Sequence, residues 1–474
     1  MGKASALFFS QAQQTLHARV TPTPDQRDFL QDQWNRLADH LKASLLEKHS
    51  FPISTWIQGS YKYGTLIRPI HLHDDYDVDV GVYFEWEDGL VDAPTPTDLR
   101  TWVQLSLLNY KNSAAEIVEV EEPAKERCSR LVYADRFHID TPVYHLARVK
   151  DRRRLACLGG EWEESDPKAI YKWFRDAFAA FLNAKTNREQ ARRIIRYLKA
   201  WAAVAFTSAA QSKPSSILIT VLVCEGLVAE YGRRMWAMDD EVALTAVVRR
   251  IQLRLLANPV VSNPVAKKEN LNRITSAYWD GFLVRLQALT DAADRAEVAE
   301  NETAGALAWS EVFSFLMPLP DIHAVQVVDG ASARRLMPVP DIEIRVLAKD
   351  KHAELSKHIN TVPIVAAGSA LTFSIMHPHA VPEFSTVEWT VRYCGVDPNM
   401  DGLLGQRKSG AALLSTTEHA DREGPFSMDC VIRVSGSVYA VRRVPFHVGN
   451  SALPARSPLA ETTVIRPSLA STWT

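Results

Sequence analysis

Asp77 and Asp79 lie in the run Asp75-Tyr76-Asp77-Val78-Asp79-Val80-Gly81-Val82-Tyr83-Phe84, where Val78, Val80, Val82 and Phe84 alternate with Asp77, Asp79, Gly81 and Tyr83. Such alternation predicts a strand with one buried face, and both acids then share the other face. Two neighbouring carboxylates repel, a cost that a divalent cation held between them reverses. Mg²⁺ suits hard oxygen ligands and is commonly shared with substrate phosphates, and Mn²⁺ is an acceptable substitute. Just upstream, Gly59 and Ser60 supply a turn where the backbone can approach an anion closely and a hydroxyl can reach it. A third acid, Asp140, follows in Arg136-Phe137-His138-Ile139-Asp140-Thr141-Pro142-Val143-Tyr144, which again alternates, with His138 and Asp140 on one side. Three acids on adjacent strands would hold two cations roughly 3.5–4 Å apart, one activating a hydroxyl and the other steadying an α-phosphate and leaving pyrophosphate.

Gln58-Gly59-Ser60, the Asp77/Asp79 pair and His138-Ile139-Asp140 together resemble the polymerase-β-type nucleotidyltransferases, and more narrowly the bacterial CD-NTases, the cyclic-oligonucleotide synthases of CBASS anti-phage defence. The resemblance implies nucleotide-binding roles for Gln58, Gly59 and Ser60, and catalytic and metal-binding roles for Asp77, Asp79 and Asp140, with two Mg²⁺ or Mn²⁺ ions per site. It extends to 192–201, where it implies that Lys199 reaches the triphosphate, and to 213–221, where it implies the same of Ser216. Arg192, Arg196 and Lys199 fall at helical spacing and form one basic stripe, which for the arginines reads equally as a solvated face. Ser216 reads otherwise as a helix N-cap. Ile217 stands where some relatives carry an aromatic that stacks on a base.

The implied reaction consumes nucleoside triphosphates, ATP, GTP or others, and yields a cyclic di- or trinucleotide whose diffusible form acts on a downstream effector. A linear oligonucleotide synthase would share every one of these residues. A transferase modifying a protein or RNA end would need a macromolecular acceptor surface, and a degenerate sensor would have no need of mutually repelling acids.

Composition bounds the alternatives. With 54 basic and 56 acidic residues the net charge is −2, so no general attraction to nucleic acid is expected and activation by a duplex is disfavoured. The cluster Arg148, Lys150, Arg152, Arg153 and Arg154 reads as a charged hairpin tip. Cys128, Cys157, Cys224, Cys394 and Cys430 are odd in number and widely spaced, which suggests neither a disulfide framework nor a zinc site. Ala6-Leu7-Phe8-Phe9 is too short for a secretory apolar region, and the longest apolar run, 217–224, is far short of a membrane span, so a cytoplasmic protein without transmembrane helices is expected.

The elements that must position these residues form an α/β (α+β) polymerase-β-type nucleotidyltransferase lobe, an α-helical lobe and a small β-sandwich. The first lobe is expected over 1–160, with a long amphipathic helix at 24–49 from Phe29, Leu30, Trp34, Leu37, Leu41 and Leu45. Helices expected at 167–182, 188–206, 215–231, 240–256 and 270–301 make a second lobe over 161–318. Prolines 318, 320, 338 and 340 mark a linker at 319–341. Strands expected at 343–347, 370–375, 387–393, 411–417, 428–434 and 437–448 make the sandwich over 342–450. This part resembles the adenylyl/guanylyl and SMODS C-terminal sensor domain, especially in Val387-Glu388-Trp389-Thr390-Val391-Arg392 and Ser427-Met428-Asp429-Cys430, which implies a small-molecule or protein ligand. Trp389 reads as core. A mobile tail is expected over 451–474.

Overall fold

The alternating run around Asp77 forms a central strand, Tyr76–Glu85, of an eight-stranded sheet in this computed structural model. All residues are described except 1, 11–14, 72–73, 234–237, 320–339, 349–352, 395–403, 412 and 450–474. Most of the predicted linker and the whole predicted tail therefore lie outside the described residues.

Along one edge of Tyr76–Glu85 run two parallel strands end to end, Phe137–Thr141 and Val143–Ala147, with Asp77 opposite His138, Asp79 opposite Asp140 and Val82 opposite Val143. Along the other edge Ile53–Gln58 pairs antiparallel, bringing Gln58 opposite Asp79. Val78, Val80, Val82 and Phe84 are fully buried and meet Leu30, Leu37, Leu41 and Leu45 of the long helix Pro24–His49, together with Leu99, Val103 and Leu107 of the helix Pro96–Lys111. A capping box between Thr23 and Gln26 starts the long helix. The helices cover the valine face and leave the carboxylate face open. The basic cluster does form a hairpin end between Val143–Ala147 and Arg152–Ala156, with Lys150 paired to Asp88 at 3.1 Å and Arg153 to Asp166 at 2.9 Å.

The second core is helical, built from Pro167–Asp176, Ala184–Ala205, Ser216–Tyr231, Asp240–Ala257, Ser276–Glu297 and Glu302–Phe313. Two of these differ from expectation. The 167–182 helix stops at Asp176, and Phe178 and Phe181 beyond it turn in toward Tyr231. The 270–301 helix begins only at Ser276, because Asn270 and Asn272 bond the amides two residues on, Asn272 and Ile274, and so offer the backbone a local alternative to the helix. Two amino-terminal helices, Ser5–Phe8 and Leu16–Val20, expected with the first lobe, also pack here: Ala4, Phe8, Leu16 and Val20 are fully buried in the helical core. Ring contacts of Phe8 with Tyr197, Trp309 and Phe313 anchor that segment. One stretch, Ala210–Tyr231, is long and apolar enough to cross a membrane by composition, yet most of it is buried inside this core.

Beyond residue 340 two four-stranded antiparallel sheets face each other around Ile344, Phe373, Trp389, Cys430 and Val444. Trp389 is core, its indole N–H donating to the Leu413 carbonyl at 2.8 Å. The strand expected at 411–417 is in fact the end of one, Leu404–Ala411, and the start of another, Ser415–His419. Polar Gln406, Arg407, Lys408 and Ser409 hid the former, and the edge strand Glu354–Ile359, largely exposed, carries no buried face to read. The outer face of the second sheet also packs on protein, because Val431, Val438 and Val441 join the helical-lobe core.

Candidate active site

Gly59 begins the short helix Gly59–Tyr63 directly over the central strand. Its φ is +60°, and a Cβ there would lie 1.9 Å from Asp79 Oδ2, so the turn can pass this close to the acid only with glycine. Gln58 is buried beneath the turn, where its side-chain oxygen accepts from the Tyr144 hydroxyl at 3.4 Å. Its side chain thus faces the sheet, while Ser60 lines the cleft.

The basic stripe is not a solvated face. Arg192 donates to the Tyr63 carbonyl at 2.8 Å, Arg196 to Gly64 at 2.6 Å, and Lys199 Nζ to Thr65 at 3.0 Å. The second lobe therefore grips the carbonyls that follow the phosphate turn. Arg196 and Lys199 are almost wholly buried. Burial, offset only in part by Asp77 and Asp79, brings the Lys199 ammonium down to about 8.

On the strand face, ligand atoms of Asp77, His138 and Asp140 lie within 4.8 Å of one another. His138 Nε2 is 2.9 Å from Asp77 Oδ1. Arg130, opposite Asp140 in the next antiparallel strand, donates to both its oxygens at 2.5 and 2.8 Å and stands 3.9 Å from Asp77. The acids differ in electrostatics. Burial, then Asp77 and Asp140, push the Asp79 carboxyl well above the usual range. For Asp77 burial also pushes upward, but the His138 hydrogen bond and the Arg130 and Lys199 charges outweigh it and the net shift is down. Crowding at Asp79 marks a place short of positive charge.

Ser215, not Ser216, caps the helix Ser216–Tyr231, accepting from the Leu218 amide at 3.3 Å. Ser216 is left exposed at the cleft, beside Lys213 and Lys199. The cleft, of about 560 Å³, is thus lined by Asp77, Asp79 and Ser60 from the first lobe and by Lys199, Lys213 and Ser216 from the second. A second cavity of about 810 Å³ adjoins it, and Gly59, Tyr63, Asp79 and Ile217 line both. The structure brings all eight sequence-predicted residues to this region: Gln58 lines only the second cavity, and Asp140, its oxygens taken by Arg130, lines neither but lies with Asp77 and His138 on the strand face. Sequence reasoning missed Arg130, Lys213 and Arg68, which also line the cleft. Only the strand register of Arg130 with Asp140 would have exposed it, whereas Lys213 adjoins the Pro-Ser-Ser motif.

Residues 53–144 match the family described as cyclic GMP-AMP synthase DncV-like, nucleotidyltransferase domain, and residues 326–449 match the adenylyl/guanylyl and SMODS C-terminal sensor domain. A cyclic GMP-AMP synthase of Escherichia albertii is 27% identical over 420 residues, covering 86% of this chain and 88% of that protein. Another, of Vibrio cholerae serotype O1, is 22% identical over 214 residues, 36% of this chain and 47% of the relative. Among solved structures, Vibrio cholerae DncV cyclic AMP-GMP synthase with the linear intermediate 5′ pppA(3′,5′)pG superposes with a TM-score of 0.54 at 16% identity, over 67% of this chain and 96% of that one. Its 3′-deoxy ATP bound form gives 0.55 at 18% identity, over 67% and 96%.

Proposed function

We propose that this chain, whose residues 53–144 match the DncV-like nucleotidyltransferase domain and 326–449 the SMODS-type C-terminal sensor domain, joins ATP- and GTP-type nucleotides into a cyclic dinucleotide, releasing pyrophosphate. One observation carries this reading: two cavities, each large enough for a nucleotide, meet at Asp79 and Gly59. Donor and acceptor held in adjoining chambers would bring a ribose hydroxyl and an α-phosphorus together at the acids.

In this reading Ser60, Ser216, Lys199 and Lys213 hold the donor triphosphate. Their charge and hydroxyls match phosphate oxygens, and the backbone grip of Arg192 and Arg196 keeps the turn fixed while the substrates change. Asp77, Asp79 and Asp140 would hold Mg²⁺, or Mn²⁺, in two positions. The donors fit such an ion, being carboxylate oxygens crowded enough that Asp79 is driven toward protonation. When bound, the ions supply the charge that makes the acceptor hydroxyl acidic and neutralises the leaving pyrophosphate. Arg130 sits where it neutralises Asp140 until that acid is engaged. Gly59 keeps the donor close to Asp79.

Closure of the product is supported by the relatives, named cyclic GMP-AMP synthases, one of which is solved with a linear intermediate. A cytoplasmic role in anti-phage signalling through a diffusible product completes the reading. The test is incubation of the purified protein with labelled ATP and GTP and Mg²⁺, followed by mass spectrometry. A phosphatase-resistant product is expected from wild type and none from the Asp77→Asn/Asp79→Asn double variant. Product from both would place the chemistry elsewhere.

A further inference from the structure

Asp429 lies on the outer face of the second β-sheet and is almost completely buried. Arg392 Nε donates to one of its oxygens at 3.0 Å and Arg443 Nε to the other at 2.9 Å. A third arginine, Arg19 of the helix Leu16–Val20, is equally buried and feels the same carboxylate. Arg19 donates to the carbonyls of Phe315 and Leu316 at 3.2 Å each, Arg392 also donates to Phe315, and Arg443 reaches the Leu319 carbonyl at 3.3 Å. Three segments thus converge on one point: the amino-terminal helix, the end of the helical lobe and the β-domain. Burial alone would raise the Asp429 carboxyl, yet the arginines hold it well below the usual carboxylate range.

From this junction two routes lead to the nucleotide cleft. Through the Leu16–Val20 helix, Arg68 is held at both ends: its amide donates to the Val20 carbonyl at 3.0 Å and its guanidinium to Ala18 at 3.4 Å. Arg68 lines the cleft. Through Phe315 itself, the ring whose carbonyl two arginines share makes an edge contact with His71, centroids 6.4 Å apart. His71 in turn bonds the Ala203 carbonyl, and its amide, like that of Ile70, donates to Asp74. Asp74 and Asp75 line the cleft just ahead of Asp77. The cleft wall formed by 65–71, 74 and 75 is therefore backed by contacts that the β-domain completes.

We propose that Asp429 is a positioning residue for the nucleotide cleft: by docking the β-domain through Arg392, Arg443 and Arg19, it fixes Phe315 and the Arg68–His71 wall, so that β-domain docking sets nucleotide affinity. The inference rests on the cleft being the nucleotide site. A partner or ligand that loosens the docked sheet would release the wall, and one that tightens it would firm the wall. The same sheet face offers an internal control, since Glu388 and Arg433 form a second buried pair at 3.2 Å, with Arg433 also donating to the Gly436 carbonyl within its own hairpin.

The test compares D429N, R19M, their double variant and E388Q in full-length protein, reading apparent KM and kcat with ATP, GTP and Mg²⁺, and hydrogen exchange over 65–75. D429N and R19M are each expected to raise KM about tenfold with kcat changed less than about threefold, and to speed exchange at 65–75. The double variant should be no worse than either single one, as for residues acting through one another. E388Q should leave KM unchanged. Should D429N misfold, R443M removes one arginine from the more exposed side and is read in the same way. KM and exchange unaltered in D429N, or E388Q shifting KM equally, would overturn the inference. Wild type that neither binds nor turns over nucleotide would instead overturn the functional reading.

Discussion

At the scale of single residues, Asp79 is costly without a cation: burial beside Asp77 and Asp140 pushes it toward protonation, so converting it to asparagine relieves repulsion. The Asp79→Asn variant is expected to keep or raise the thermal midpoint while incorporation of labelled nucleotide disappears, as scanning fluorimetry and product assays would read. Gly59→Ala places a methyl group 1.9 Å from Asp79 Oδ2 at φ +60°. The left-handed backbone alone costs about 1–2 kcal/mol, measurable by urea unfolding, and product formation should fall with it as Asp79 is displaced. Lys199 has a pH signature. Its ammonium is lowered by burial to about 8, and an adjacent triphosphate raises that value again. Binding should then take up a proton near pH 8 and weaken as pH rises through 8. Calorimetry in two buffers of different ionisation enthalpy reads this uptake as a difference between wild type and Lys199→Met.

At the scale of elements, the helix Ser216–Tyr231 separates two roles that the sequence ran together. Ser215 caps and Ser216 faces the cleft. Ser215→Ala is expected to cost about 1 kcal/mol of stability with triphosphate affinity intact, and Ser216→Ala the reverse, measured by urea unfolding and by titration with ATP. Period-2 alternation made Tyr76–Glu85 legible because one face is fully buried and the other carries the chemistry. Helix ends were harder: Asn270 and Asn272 divert the backbone before Ser276 by side-chain bonds that leave no trace in hydrophobic period. Leu404–Ala411 was illegible for a similar reason, its middle being polar. Arg130 escaped because its partnership with Asp140 exists only through strand register. The arginine stripe was legible as a stripe, but its use, gripping carbonyls of another lobe, is a tertiary fact.

At the scale of the whole molecule, the amino-terminal helix Leu16–Val20, the end of the helical lobe and the β-sandwich meet in one buried charged junction. The domain order was readable from composition shifts, whereas that junction joins residues 19, 315, 392, 429 and 443, which no local pattern connects. A carboxylate bonded by two arginines and facing a third gives the β-domain a defined seat on the catalytic unit rather than a loose tether. In the proposed reaction two nucleotides meet at Asp79 and are joined into a ring. The most direct measurement is mass spectrometry of the product made from all four nucleoside triphosphates with Mg²⁺, before and after phosphatase and exonuclease digestion. A cyclic dinucleotide that survives digestion is the expected result; a product destroyed by those enzymes, or none at all, would contradict the claim.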